Sequence, residues 1–284
     1  MSCFGLEIIF LMILALIWIV FATVQDLKTR EIANWLSFSL IIFAIGFRFF
    51  YSLFSESFGF FYQGLIGLGI FFILGNLLYY GRFFAGGDAK LMISLGAILP
   101  FSEIFSVNLK IFVSFFFIFL FIGAVYSITM GIYLSLRHFE KFRKEFGFQL
   151  RKNKKLMYPV LFLGLAVMIF GFSENIFFIL GILIFILPYF YIYAKAVDES
   201  CMIRKIKTSQ LTEGDWLYRD IKLGKRTIKA KWEGLKKEEI KQLRKKYKML
   251  LIRQGIPFSL VFLISFLILI YFWKTGLWKS LGFV

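Results

Sequence analysis

Cysteine, proline and histidine are scarce in these 284 residues, at two, four and one. With only Cys3 and Cys201 there is no disulfide scaffold and no Cys-rich zinc domain. The lone His138 sits in a basic stretch and reads as a solvated side chain, and no H-E-x-x-H zinc motif occurs. There is no G-x-S-x-G, no P-loop and no Rossmann fingerprint, and neither cysteine has a base partner in view. What the chain has in excess is apolar surface. Hydrophobic residues make up 60%, 40 residues are Phe, and the mean hydropathy is +0.78, against about 45–50% apolar in soluble domains. Long apolar blocks of this kind exclude a disordered or fibrous chain and point to a polytopic membrane protein.

The net charge of +17 is unevenly placed. Met1–Leu136 is neutral, with six residues of each sign; Arg137–Tyr158 carries +6 and Val197–Ile256 carries +9. A basic excess confined to two segments between apolar runs is a positive-inside signature, not a nucleic-acid footprint, and it suits anionic lipid headgroups. Runs able to span a membrane are Phe4–Val24, Ile32–Leu53, Phe58–Tyr80, Leu91–Phe105, Leu109–Leu136, Met157–Phe172, Ile176–Ala196 and Pro257–Trp273. The first lacks a basic n-region and reads as a retained span. Numbered this way, all strong basic segments share one face, expected to be cytoplasmic, while Lys274 and Lys279 fall opposite.

The expected architecture is an all-α polytopic membrane protein of about six to eight transmembrane helices, with a small cytoplasmic α+β insert before the last helix. Residues 1–136 form a transmembrane core; 137–196 a basic cytoplasmic loop and two further spans; 197–256 the basic module; 257–284 the final helix and tail. Within the module, Leu217–Leu223 and Arg226–Lys229 flank Gly224-Lys225 as a hairpin. Lys236–Tyr247 has helical spacing, and Lys248–Arg253 reads as a strand.

Two acidic residues stand out. Asp26 directly follows the first span, and Asp88 follows Gly86-Gly87 at the head of the short fourth one. Singly, each reads as a helix-end residue, Asp88 as an N-cap. Together they lie on the same face at the ends of different spans. A helix from Asp88 to Pro100 rises only about 20 Å, against a hydrocarbon core of about 30 Å. If the segment reaches the far side, its Gly-Gly-Asp start lies below the near surface, where an ionisable group is by default functional. Two carboxylates sharing a site cannot both ionise comfortably, which yields an acid and a base from one residue type. Elimination of the other hydrolytic chemistries also leaves an aspartyl mechanism. The alternatives are a transporter or channel-like protein using Asp26 and Asp88 as a proton or cation site, and a scaffold in which they only cap helices. No inverted repeat or matched pair of broken spans favours the transporter.

The stretches Val24-Gln25-Asp26-Leu27-Lys28-Thr29-Arg30-Glu31-Ile32 and Gly86-Gly87-Asp88-Ala89-Lys90-Leu91, the latter running on to Pro100, resemble the type IV prepilin peptidase family. The likeness is to its archaeal branch, the preflagellin (prearchaellin) and prepilin peptidases. Gly214-Asp215-Trp216-Leu217 and Gly255-Ile256-Pro257-Phe258 are similar to that branch's C-terminal region. The resemblance implies a membrane aspartic endopeptidase with Asp26 and Asp88 as its catalytic pair, needing no metal or cofactor. It implies removal of a short basic leader from prearchaellins or prepilin-like proteins at the cytoplasmic membrane face. Gly86, Gly87, Lys90 and Glu31 would be supporting or substrate-proximal residues. Ala85 stands where the wider family of G-x-G-D membrane proteases has glycine. Nothing matches the cysteine-paired N-terminal region of the bacterial, N-methylating members, so proteolysis alone is implied.

Overall fold

The long apolar runs become long helices, as backbone satisfaction in a membrane requires. A computed structural model of the chain describes residues 5–171, 175–223 and 226–276. Among the described residues, five helices are long and apolar enough to cross a membrane: α1 (Leu6–Thr29), α2 (Asn34–Phe54), α3 (Gly59–Tyr80), α5 (Phe105–Arg137) and α8 (Asn175–Cys201). The pair α6 (Phe139–Lys152) and α7 (Lys154–Phe170), bent by 77° at their junction, makes a sixth only when the two count as one span. Their outward faces stay apolar, with Ile42 69% and Phe162 75% exposed, a pattern that suits lipid rather than water. An all-α, multi-pass membrane protein is the result. Cys3, Lys279, the Gly224-Lys225 turn and most of the Ser173–Asn175 loop lie outside the described residues.

Two sequence expectations are corrected. Leu91–Phe105 is not a span: α4 (Gly86–Gly96) is 11 residues long, about 16 Å at 1.5 Å per residue. Its helix stops before Ala97-Ile98-Leu99-Pro100, which are buried in non-helical backbone. The basic stretch after Arg137 is also not a loop but the charged helix α6, with basic and apolar residues at helical spacing.

The chain forms two compact units, Met1–Ser127 with Ile256–Val284, and Ile128–Gly255. In the first, α3 presents Gly64, Gly67 and Gly75 along one face. A Cβ at Gly67 would lie 2.4 Å from the Gly96 carbonyl, and one at Gly75 3.0 Å from that of Ala89. Glycine there lets α4 pack directly on the α3 backbone. The last apolar helix, α10 (Ser259–Thr275), buries Val261, Phe262, Phe266 and Leu269 in the same core. In the second unit, α7 and α8 approach through Gly164 and Gly181, where a Cβ on Gly181 would meet the Gly164 carbonyl at 2.9 Å.

The insert follows its sequence reading except at the first hairpin arm, which shortens to Ile221–Leu223 because Leu217 pairs with the central strand of the other sheet. β1 (Ile203–Lys207) and β2 (Trp216–Leu217) pair antiparallel with the central β5 (Met249–Arg253). β3 (Ile221–Leu223) and β4 (Arg226–Ile228) make the expected hairpin, with Leu223 opposite Arg226. Helix α9 (Lys237–Lys246) starts where Glu239 accepts the Lys236 N–H at 2.9 Å. It buries Ile240 and Leu243 with Leu217, Leu235, Leu250 and Ile252. Arg253 joins β5 to the end of α8 through ion pairs with Asp198 at 3.2 Å and Glu199 at 2.9 Å.

Candidate active site

Asp26 lies in the last turn of α1, whose end is set by Arg30 in a left-handed conformation. It is buried, at 7% exposure. A buried carboxylate needs donors, and Asp26 has one from a distant part of the chain: the Ser259 backbone N–H donates to its Oδ2 at 3.1 Å. That N–H belongs to the first residue of α10, one of the N-terminal donors that no helix satisfies internally. Thr23 in the preceding turn of α1 is also buried, and its hydroxyl donates to the Ile19 carbonyl at 2.8 Å.

Asp88 lies in the first turn of α4. Ala85 is the N-cap and Asp88 the third helical residue, so the N-cap reading shifts by three positions. Its carboxylate reaches back to the Ala85 backbone N–H, the acidic half of a capping box. The two carboxylates are close enough to interact electrostatically. Gly87 completes the approach: a Cβ there would stand 3.2 Å from the Ile32 Cβ, in the connection leaving α1. Neither Gly86 nor Gly87 is in the positive-φ region, so what Gly87 offers is space. Ala85 is extended at φ −71° and ψ 162°, a conformation any residue adopts, and an alanine fits where related motifs have glycine.

The other supporting candidates stand apart. The Lys90 ammonium donates to Asn34 Oδ1 at 2.5 Å, tying α4 to the start of α2. Glu31 is exposed in the α1–α2 connection. Gly86, Ala89, Lys90 and Ile93 line an apolar groove of about 740 Å³ with α2 and α3, and Asp88 is not among its walls. Groove and carboxylate pair are separate features. Among the described residues no group of three His, Cys, Asp or Glu is placed to hold a metal ion.

Residues 13–128 match the type IV leader peptidase family. The matched segment contains both aspartates and all of α2, α3 and α4. Two proteins called preflagellin peptidase are similar over 88 residues. That of Methanococcus maripaludis is 31% identical over 31% of this chain and 38% of its own length. That of Methanocaldococcus jannaschii is 32% identical over 31% and 37%. The chain thus spans under two-fifths of the length of these relatives. No solved structure matches it.

The sequence reading missed three features of this site. Arg48 is a cation inside the apolar run of α2, wholly buried, and a charge there was itself a signal. Its guanidinium donates to the carbonyls of Ala97 (2.9 Å), Ile98 (3.1 Å) and Pro100 (2.5 Å) after α4, and to that of Phe60 in α3 (2.9 Å). It thereby satisfies the broken backbone that follows the short helix α4. Phe84, just before Ala85, meets Phe119, Phe258 and Phe262 at centroid distances of 5.6–6.2 Å. Ser259 is the third, and no local pattern marks it.

Proposed function

We propose that the chain is a membrane aspartic endopeptidase that removes the short basic leader from prearchaellin-type or prepilin-like proteins at the cytoplasmic membrane face, with Asp26 and Asp88 as its acid–base pair. The observation that carries the proposal is that Asp26 in the last turn of α1 and Asp88 in the first turn of α4, both inside the matched segment, lie close enough to interact electrostatically. The match of residues 13–128 to the type IV leader peptidase family and the names of the two relatives support the substrate class. The cytoplasmic orientation rests on the basic loops.

In the mechanism the pair holds one proton between two carboxylates and titrates as a unit. The ionised member takes a proton from water as its oxygen attacks the scissile carbonyl carbon. The protonated member gives its proton to the carbonyl oxygen, forming a neutral gem-diol. In collapse, one diol proton returns to a carboxylate, the amide nitrogen takes the other carboxyl's proton, and the C–N bond breaks. Acid and amine products leave the pair with its single proton restored.

The test mixes membranes holding wild type, Asp26→Asn or Asp88→Asn with a tagged prepilin-like substrate, and reads leader loss by gel shift and mass spectrometry of the new N-terminus. Cleavage by wild type, lost by at least about 10³-fold in either variant at equal protein level, is the expected result. Undiminished cleavage by either variant removes that residue from the mechanism. A wild type that cuts none of several such substrates refutes the activity.

A further inference from the structure

The family match ends at residue 128, yet the donor on Asp26 comes from residue 259. Four contacts fix the first turn of α10. The Tyr126 hydroxyl donates to the Pro257 carbonyl at 2.7 Å. The Phe258 ring lies against Gly123, where an added Cβ would stand 3.0 Å from its Cζ. Phe258 and Phe262 pack on Phe84, three residues before Gly87 in the Asp88 loop. Ser259 holds Asp26 through its N–H. One turn of helix therefore touches the supports of both carboxylates.

Ser259 has a second group in hand. The residue is fully buried and its hydroxyl has no hydrogen-bond partner. Ser37, Ser52, Ser114 and Ser265 are buried with unpartnered hydroxyls too, but each stands inside its helix. Ser259 is the first residue of its own and already holds Asp26 through its N–H. A buried unpaired polar group calls for an explanation in function. Its Oγ is three bonds from the nitrogen that donates to Asp26, and χ1 has three staggered wells in which to place it.

We propose that Ser259 is a positioning residue of the aspartate pair, its N–H pinning Asp26 and its hydroxyl closing on the same carboxylate during the reaction. This rests on the peptidase reading. The hydroxyl is the part that a substitution removes cleanly. In Ser259→Ala the N–H and the helix start are kept.

The experiment measures leader cleavage by full-length wild type, Ser259→Ala, Ser259→Thr and Asp26→Asn in detergent micelles, with unfolding curves for each. Ser259→Ala is expected to lower kcat about tenfold with KM unchanged. Its stability should be equal to or above that of the wild type, because an unpaired buried hydroxyl is lost. Ser259→Thr, which restores a hydroxyl, should recover most of kcat. A merely structural serine would instead lower stability or leave kcat alone. Full activity in Ser259→Ala beside an inactive Asp26→Asn overturns the inference and leaves the peptidase reading standing. Wild type that cuts no substrate refutes that reading and the inference with it.

Discussion

Replacing Arg48 by Met should unfold the chain's first unit more readily than any surface change. The guanidinium is wholly buried and makes four bonds to backbone carbonyls, and it lies 4.1 Å from the centre of the Phe60 ring. A hydrogen bond to a charged donor contributes about 1.5–3 kcal/mol net, but four such values cannot simply be summed. Removing the charge also removes its own desolvation penalty of several kcal/mol. What is left is the carbonyls of Ala97, Ile98 and Pro100 in non-helical backbone without this donor, together with a looser contact at Gly64, whose added Cβ would stand 2.4 Å from Arg48 Cδ. The net loss is therefore about 3–5 kcal/mol, the range seen when one partner of a buried charged network is removed. At 1.36 kcal/mol per decade, that moves the folding equilibrium by about two to three and a half orders of magnitude. Reversible unfolding of the full chain in mixed micelles with rising SDS would read it directly. Arg48→Lys should fall between, since one ammonium cannot reproduce a planar fork serving carbonyls of α3 and of the segment after α4. An Arg48→Met protein within 1 kcal/mol of wild type would refute the claim that this side chain satisfies the break after α4.

The glycines supply sharper contrasts. Gly67→Ala puts a Cβ 2.4 Å from the Gly96 carbonyl and 2.7 Å from Pro100, so α3 and α4 must part, costing about 1–3 kcal/mol. Gly69→Ala meets nothing within 4 Å and should be neutral or stabilising by up to about 1 kcal/mol in the same unfolding assay. Next to Asp88, Gly86→Ala faces only Tyr79 at 3.8 Å and should keep cleavage near wild type. Gly87→Leu should lose cleavage by at least about tenfold, because the side chain enters space held by Ile32 and shifts Asp88 from its partner. Equal activities for those two variants would show that close approach at Gly87 does not matter.

Much of this was legible locally. Apolar run length sufficed for α1, α2, α3, α5 and α8, because a chain in lipid can satisfy its backbone only within helices or closed barrels. The hairpin, helix and strand of the insert followed from alternation and spacing, with Gly224-Lys225 marking the turn position. The two aspartates could be picked out because carboxylates at the ends of apolar runs are rare. The fourth run was misread because apolar content does not distinguish a short buried helix with a break from a span. That distinction depends on whether another element can satisfy the freed carbonyls, and the answer, Arg48, lies 49 residues before the Ala97 carbonyl it serves. The N-cap reading of Asp88 failed for a smaller reason, since cap and third helical position both favour acids.

Hydropathy and spacing along the chain specify a multi-pass helical protein, a basic α+β insert and two acidic residues set apart from the others by where they fall. What surrounds those two is set by packing alone: the α3 glycines that admit α4, the arginine that closes its broken end, and the turn of α10 that gives Asp26 its donor across 233 positions of chain. The physical reason is the range of the interactions. Hydropathy and helix propensity act between near neighbours and can be read along the chain. A carboxylate's donor or a carbonyl's counter-charge is whatever packing brings within about 3 Å, and that depends on every helix at once.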